Sequence, residues 1–151
     1  MCAVKDVWSN RIVGYSIGSR MKARLAVQAL ENAVASRAVA GMDVAGCIVH
    51  SDRGSQFRSR KYLRALRRHA LAGSMGQVGS SADNSAMESW FSLLQKNVLN
   101  RSRWATRQDL RIAIVTWTER TYHRRRRQAS LGKLTPIEYE TIMTTPASQA
   151  A

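Results

Sequence analysis

The sequence predicts an α/β fold, and three observations carry that reading. Two short runs rich in valine, isoleucine and aromatics open the chain, and a stretch with apolar residues at helical spacing follows. The continuous apolar run "GCIV" then leads into a strongly basic amphipathic segment. Strand pair, helix, strand and helix in this order begin a sheet flanked by helices. A chain of 151 residues can build one domain with a core and is too short for two to be expected. Residues 1–145 are assigned to that domain and 146–151 to a disordered tail.

Taken in order, "CAVKDVWSNRIVGYSIGS" reads as a hairpin turning at Ser9 and Asn10. Residues 22–38 place Leu25, Ala26, Ala29, Leu30 and Ala33 on one helix face, with Gly41 just past the end. "GCIVHSD" has the form of a strand buried on both faces. A helix over 59–69 gathers Arg60, Arg64, Arg67 and Arg68 on one side and Leu63, Leu66 and Ala70 on another. "LAGSM" reads as a further short strand and "GQVGSSADN" as a loop, with Asp83 or Asn84 capping the next helix. That helix is expected to bury Met87, Trp90, Phe91, Leu94 and Val98, leaving Glu88 at the stripe's border beside Asn84 and Gln95. Another helix, over 107–121 and capped by Thr106, should bury Leu110, Ala113, Ile114 and Trp117. Thr135, Pro136 and Glu138 form the capping box of a final short helix.

Charge narrows the function. Twenty-four Lys and Arg against ten Asp and Glu give a formal charge of +14, which suits a polyanionic partner such as DNA. No apolar run approaches the length of a membrane span, and the opening residues look like a strand rather than a signal peptide. A cytoplasmic, nucleoid-associated protein without membrane contact is expected. Cys2 and Cys47 have no paired metal spacing and are read as buried thiols. The basic helix face, and the run Arg124 to Arg127, are each either solvated surface or a track for phosphates.

Asp52 closes a strand and Glu88 falls in the first turns of a helix, with 35 residues between them. Two carboxylates mounted on distant segments suit Mg²⁺ or Mn²⁺, which prefer oxygen ligands and bridge to phosphates. Spacing alone does not separate such a pair from two ordinary surface acids.

Three stretches in sequence, "HSDRGSQF", "SADNSAMESWFSLLQKN" and "TYHRRRRQASLGKLTPIEYE", resemble the integrase core of IS-three family insertion-sequence transposases, which are DDE recombinases. The likeness covers nearly the whole chain and includes the family's interval between its second and third acids. It implies a ribonuclease-H-like α/β fold, a mixed sheet flanked by helices, that binds DNA ends and catalyses metal-dependent strand cleavage and transfer. By this resemblance Asp52 is the second catalytic acid and Glu88 the third, both metal ligands. Asn84 matches the asparagine of the family's "DN" pair. His50 and Gly54 belong to the motif around the second acid. We read His50 as a strand-end histidine bonded to a backbone carbonyl, and Gly54 as a turn glycine tolerating positive φ.

Arg53 and Gln56 are placed near the substrate strand. Arg60, Arg64, Arg124, Arg125 and Arg126 are further DNA-contact candidates, as are Gln95 and Lys96. The family often has a lysine where this chain has Gln95, and Lys96 points about a hundred degrees away on a helix. The family's first acid lies on a strand before the hairpin, and Asp6 matches a non-catalytic aspartate. The resemblance therefore implies a chain lacking the first strand, the first acid and the upstream region that recognises DNA ends. Little or no strand transfer is expected from it, and an exposed apolar edge should favour self-association. The alternative from a different class is a non-enzymatic basic DNA-binding remnant that competes with an intact transposase.

Overall fold

Strand β1 (Cys2–Lys5) pairs antiparallel with β2 (Ile12–Ser16), Cys2 opposite Ser16, and the register slips between Val4 and Lys5. This is the expected hairpin, with Asn10 at φ 59 in its turn. The computed structural model describes residues 1–75 and 85–144. The expected loop 76–84, with Asp83 and Asn84, and the tail 146–151 lie outside the described residues. Two compact units are present, Met1–Lys5 with Ile12–Ser89, and Asp6–Arg11 with Trp90–Ala151.

In the first unit, helix α1 (Ala23–Val39) lays its small residues on the β1–β2 ribbon. A Cβ on Gly14 of β2 would come within 2.7 Å of the Ala33 Cα, so this approach depends on glycine. Gly41, at φ 72, follows the helix end as expected. Strand β3 (Ile48–Ser51) pairs parallel with β4 (Ala72–Met75). Helix α2 (Arg60–Arg68) makes the crossover, and its Ser59 cap accepts from the Tyr62 N–H at 3.2 Å. Both ribbons and both helices share one core. Cys2, Ala26, Ala29, Leu30, Tyr62, Ala65 and Leu66 form it, with Val4 and Val49 packed against it.

Several expectations need correction here. Helix α2 buries Tyr62 and Ala65 with Leu66, Leu63 is only partly covered, and Ala70 lies past the helix end at φ 52. Strand β3 is not covered on both faces: Val49 reaches the core, but Ile48 is 73% exposed and Cys47 is exposed as well. The strand has one ladder partner and only one face against helices. Where a single mixed sheet was expected, the described residues form two separate two-stranded sheets, one antiparallel and one parallel.

In the second unit, the Asp6 Oδ1 accepts from the N–H groups of Trp8 (2.8 Å) and Ser9 (3.3 Å), which shapes the hairpin turn. Ser9 Oγ donates to Glu140 Oε1 and Arg11 Nη1 to Glu140 Oε2, each at 2.7 Å. Glu140 sits on α5 (Pro136–Thr144), whose capping box is the predicted one: the Thr135 N–H donates to Glu138 and the Glu138 N–H to Thr135 Oγ1. The Thr135 N–H, foremost, holds the Glu138 carboxyl below its ordinary pKa.

Helix α3 (Ser85–Leu94) passes into a π-turn at Gln95–Leu99, and α4 (Arg107–Thr116), capped by Thr106 with Asp109, into another at Trp117–Tyr122. The wider turn shifts the helical register. Thr118 and Tyr122 are therefore buried while Trp117 is only half-buried, and Phe91 is partly exposed beside a fully buried Trp90. Trp90, Phe91, Trp117 and Tyr122 cluster edge-on and tilted, with Trp90 and Phe91 centroids 4.9 Å apart. No helix among the described residues is long and apolar enough to cross a membrane.

Candidate functional site

Asp52 is the first residue beyond β3, so its backbone is mounted on the ladder with β4. Its Oδ1 accepts from the Gly54 N–H at 2.7 Å, and the carboxylate is solvent-exposed. The reason for glycine at 54 differs from the sequence expectation, because Gly54 is not among the positive-φ residues. A Cβ there would fall 2.7 Å from Asp52 Oδ1 and collide with the Gln56 side chain. A side chain at 54 would therefore oblige the Asp52 carboxylate and the Gln56 amide to move, while the backbone itself meets no obstacle. His50 also differs. Its Nδ1 lies 3.2 Å from Ser74 Oγ on β4, a hydroxyl rather than a backbone carbonyl, and the ring is exposed.

Glu88 occupies the first turn of α3, where the helix dipole favours an anion, and it is exposed. Both acids belong to the first unit. Strand β1 is tied to the segment that carries each. Burial pushes the Cys2 thiol pKa up, and the nearby Asp52 carboxylate adds to the rise. Lys5 Nζ donates to the Ala86 carbonyl at 3.0 Å, two residues before Glu88, and burial lowers its pKa. Among the described residues no group of three or more His, Cys, Asp or Glu is placed to hold a metal ion. Asp52 and Glu88 are hard oxygen donors of the type Mg²⁺ and Mn²⁺ take, and they fit in kind but not in number.

The expected DNA contacts divide between the units. In the first, Arg53, Arg60 and Arg64 are exposed and Gln56 is half-buried, while Arg68 leaves the basic stripe to pair with Glu31 at 3.2 Å. In the second, Lys96, Arg124, Arg125 and Arg126 are exposed, whereas Arg127 is held by Glu138 (3.1 Å) and the Lys133 carbonyl (3.0 Å). The Gln95 side chain donates to Asn100 Oδ1 at 2.6 Å within the π-turn, so it is already engaged. Asn84 lies outside the described residues. Sequence reasoning did not single out Cys2 or Lys5 for the site. The only signal was their place on a short strand near the motif acids, which becomes meaningful once the strands are folded together.

Two sequence models of the integrase core domain match this chain, over residues 1–81 and 69–136. Transposase InsF for insertion sequence IS3A of Escherichia coli (strain K12) is 35% identical over 140 residues, covering 93% of this chain and 47% of that protein. The transposase for insertion sequence element IS629 of Shigella sonnei is 35% identical over 135 residues, covering 89% and 44%. The chain thus spans about half the length of these relatives. Among solved structures, a chain of the simian T-cell lymphotropic virus intasome in complex with PP2A regulatory subunit B56 gamma matches with a TM-score of 0.55 at 15% identity. That match covers 86% of this chain and 43% of the other, and it shows the fold: the ribonuclease-H-like α/β arrangement that the three motifs imply.

Proposed function

The chain belongs to the integrase core domain family, and from that footing we propose that it acts on DNA as core residues 1–145 of an insertion-sequence transposase. The observation that carries this reading is Asp52, mounted at the end of β3 with one oxygen fixed by the Gly54 N–H, in a chain of net charge +14. Asp52 and Glu88 are the proposed ligands for Mg²⁺ or Mn²⁺. A bound ion of that kind supplies Lewis-acid polarisation of a phosphoryl oxygen. Gly54 restrains Asp52 so that its second oxygen is left for coordination. Arg53, Gln56, Arg60 and Arg64, with Asn84, Lys96, Arg124, Arg125 and Arg126, are the groups proposed to follow the phosphate backbone. Such a protein would reside on the nucleoid.

Two acids hold a divalent ion more weakly than three, so strand cleavage and transfer by this chain alone are proposed to be slight. The absence of a third ligand among the described residues is also what favours a second reading, a DNA-binding protein without catalysis. Binding to a labelled duplex should weaken steeply as salt rises in both readings. Mn²⁺ binding separates them. In the first reading Asp52→Asn and Glu88→Gln each lower Mn²⁺ affinity at least tenfold with DNA affinity retained. Equal Mn²⁺ binding by wild type and both variants would remove the metal site.

A further inference from the structure

Two residues expected in the core stripe of α4, Ala113 and Trp117, are only half-buried. With Thr116 and Ile112, the latter 54% exposed, they line a cavity of about 520 Å³. Val98 and Arg101, at the end of the first π-turn, line it as well, and so does Trp104 from the connector that leads to α4. All of these residues belong to the second unit. The volume is in the range of sites that hold small molecules or parts of larger ones.

The lining and the charge beside it narrow what would enter. Trp117 is backed by Tyr122, with ring centroids 5.7 Å apart, and by Trp90 at 6.5 Å, so its indole is held in place. Trp104 is less tied. Its Nε1–H is enclosed without a hydrogen-bond partner among the described residues, so the ring gives up no bond by turning toward a ligand's acceptor. Indoles stack on flat rings that are apolar on the face and polar at the edge, which is the description of a nucleobase. Residues 100–112 carry four arginines, Arg101, Arg103, Arg107 and Arg111, against one acid, Asp109. All four arginines are exposed, and no ion pair among the described residues holds them. Asp109 is turned onto its own helix cap, accepting from the Thr106 N–H at 3.1 Å and from Thr106 Oγ1 at 2.7 Å. An apolar peptide would leave this positive charge unanswered, whereas a nucleic acid brings a flat ring and a phosphate together at each step of its chain. A base within a duplex is already stacked and paired, so the ring that enters is an unpaired one.

We propose that this cavity receives one unpaired base of a DNA strand, stacked against the indoles of Trp104 and Trp117, while Arg101, Arg103, Arg107 and Arg111 carry the phosphates on either side of it. These arginines are distinct from those of α2 and from Arg124, Arg125 and Arg126, to which the continuous backbone track was given above. The choice of DNA as the polyanion rests on the function proposed above. Capture of an unpaired base goes beyond that function, because it makes single-stranded DNA a ligand of the second unit.

The test uses the full chain, a short oligothymidylate and an abasic strand of the same length, all at one salt concentration. The oligothymidylate should bind at least tenfold more tightly than the abasic strand. Trp104→Ala should bring the two affinities together and leave that for the abasic strand unchanged, and Trp104→Phe, which keeps an aromatic face, should retain most of the difference. Thr116→Leu narrows the cavity from an exposed position without altering charge, and it should also remove the difference, which decides the matter if Trp104→Ala does not fold. Equal binding of both strands by the wild type, or a difference that survives Trp104→Ala and Thr116→Leu, overturns the proposal. Self-association that Thr116→Leu abolishes in light scattering, with no preference between the strands, would give the cavity to a second copy instead. Equal binding of the two strands leaves the function proposed above standing, whereas failure to bind either strand or a duplex sinks both.

Discussion

The two units solve burial in opposite ways. The first packs small residues, Ala26, Ala29, Ala33 and Ala65, so closely that a strand glycine touches a helix backbone, and it leaves its open hydrogen-bonding groups on strand edges. The second buries large rings and an ion pair, and Trp90 Nε1 and Thr118 Oγ1 are enclosed without a hydrogen-bond partner among the described residues. Edge groups in the first unit can be satisfied by water, whereas the unpaired atoms in the second are sealed in and cost stability. Both candidate metal ligands are on the unit with open edges, and the heavier packing is on the other.

That contrast can be broken most forcefully at Trp90. Its side chain is fully buried, so Trp90→Ala should cost about 4 kcal/mol in urea unfolding. A loss under 1 kcal/mol would mean that the aromatic cluster does not hold the second unit. Glu140→Ala comes next, at about 3 kcal/mol, because it strands the Arg11 guanidinium and removes the acceptor of Ser9. Glu140→Gln, which keeps an acceptor, should cost clearly less, and equal losses would assign the effect to packing alone.

Alkaline pH probes the first unit. Burial pushes the Tyr62 pKa from 10.0 to about 12, so the fold favours the neutral phenol. Its stabilising effect is complete below pH 10 and disappears as pH rises through about 12, a change of about 3 kcal/mol. The raised Cys2 thiol acts in the same direction from 9.0 upward, and Lys5, lowered from 10.5, opposes both because its buried charge is relieved on deprotonation. Tyr62→Phe should flatten the fall in stability between pH 10 and 12, and an unchanged slope would remove Tyr62 as its source. The smallest effect on stability is expected at Gly54. Gly54→Ala should weaken Mn²⁺ binding about tenfold by displacing Asp52, with the melting temperature almost unchanged. A large drop in melting temperature would instead make Gly54 a scaffold residue.

The buried face of α1, the hairpin, the Thr106 cap and the Thr135–Glu138 capping box were legible in the sequence because each depends on neighbours within a few residues. Asp52 and Glu88 were singled out through family resemblance, and they lie where the sequence expected them, at a strand end and a helix start. Exposure of Ile48 and Cys47 was not, since an apolar run does not record whether a second partner strand is present. Gly54 was misread because a turn glycine at ordinary φ and one at positive φ look identical in sequence. The engagement of Gln95 by Asn100, and the burial of Thr118 in place of Trp117, both follow from π-turns that no local pattern announced.

Those π-turns have an evolutionary side. A turn closed five residues back holds one residue more than an α-helical turn, so each is a place where a helix carries a spare position. Deleting one residue within Gln95–Leu99 or Trp117–Tyr122 would restore α-helical pitch and rotate everything beyond it by about a hundred degrees. Homologous genes that differ by a single codon should therefore carry the difference at these two points, with both helices still continuous on either side.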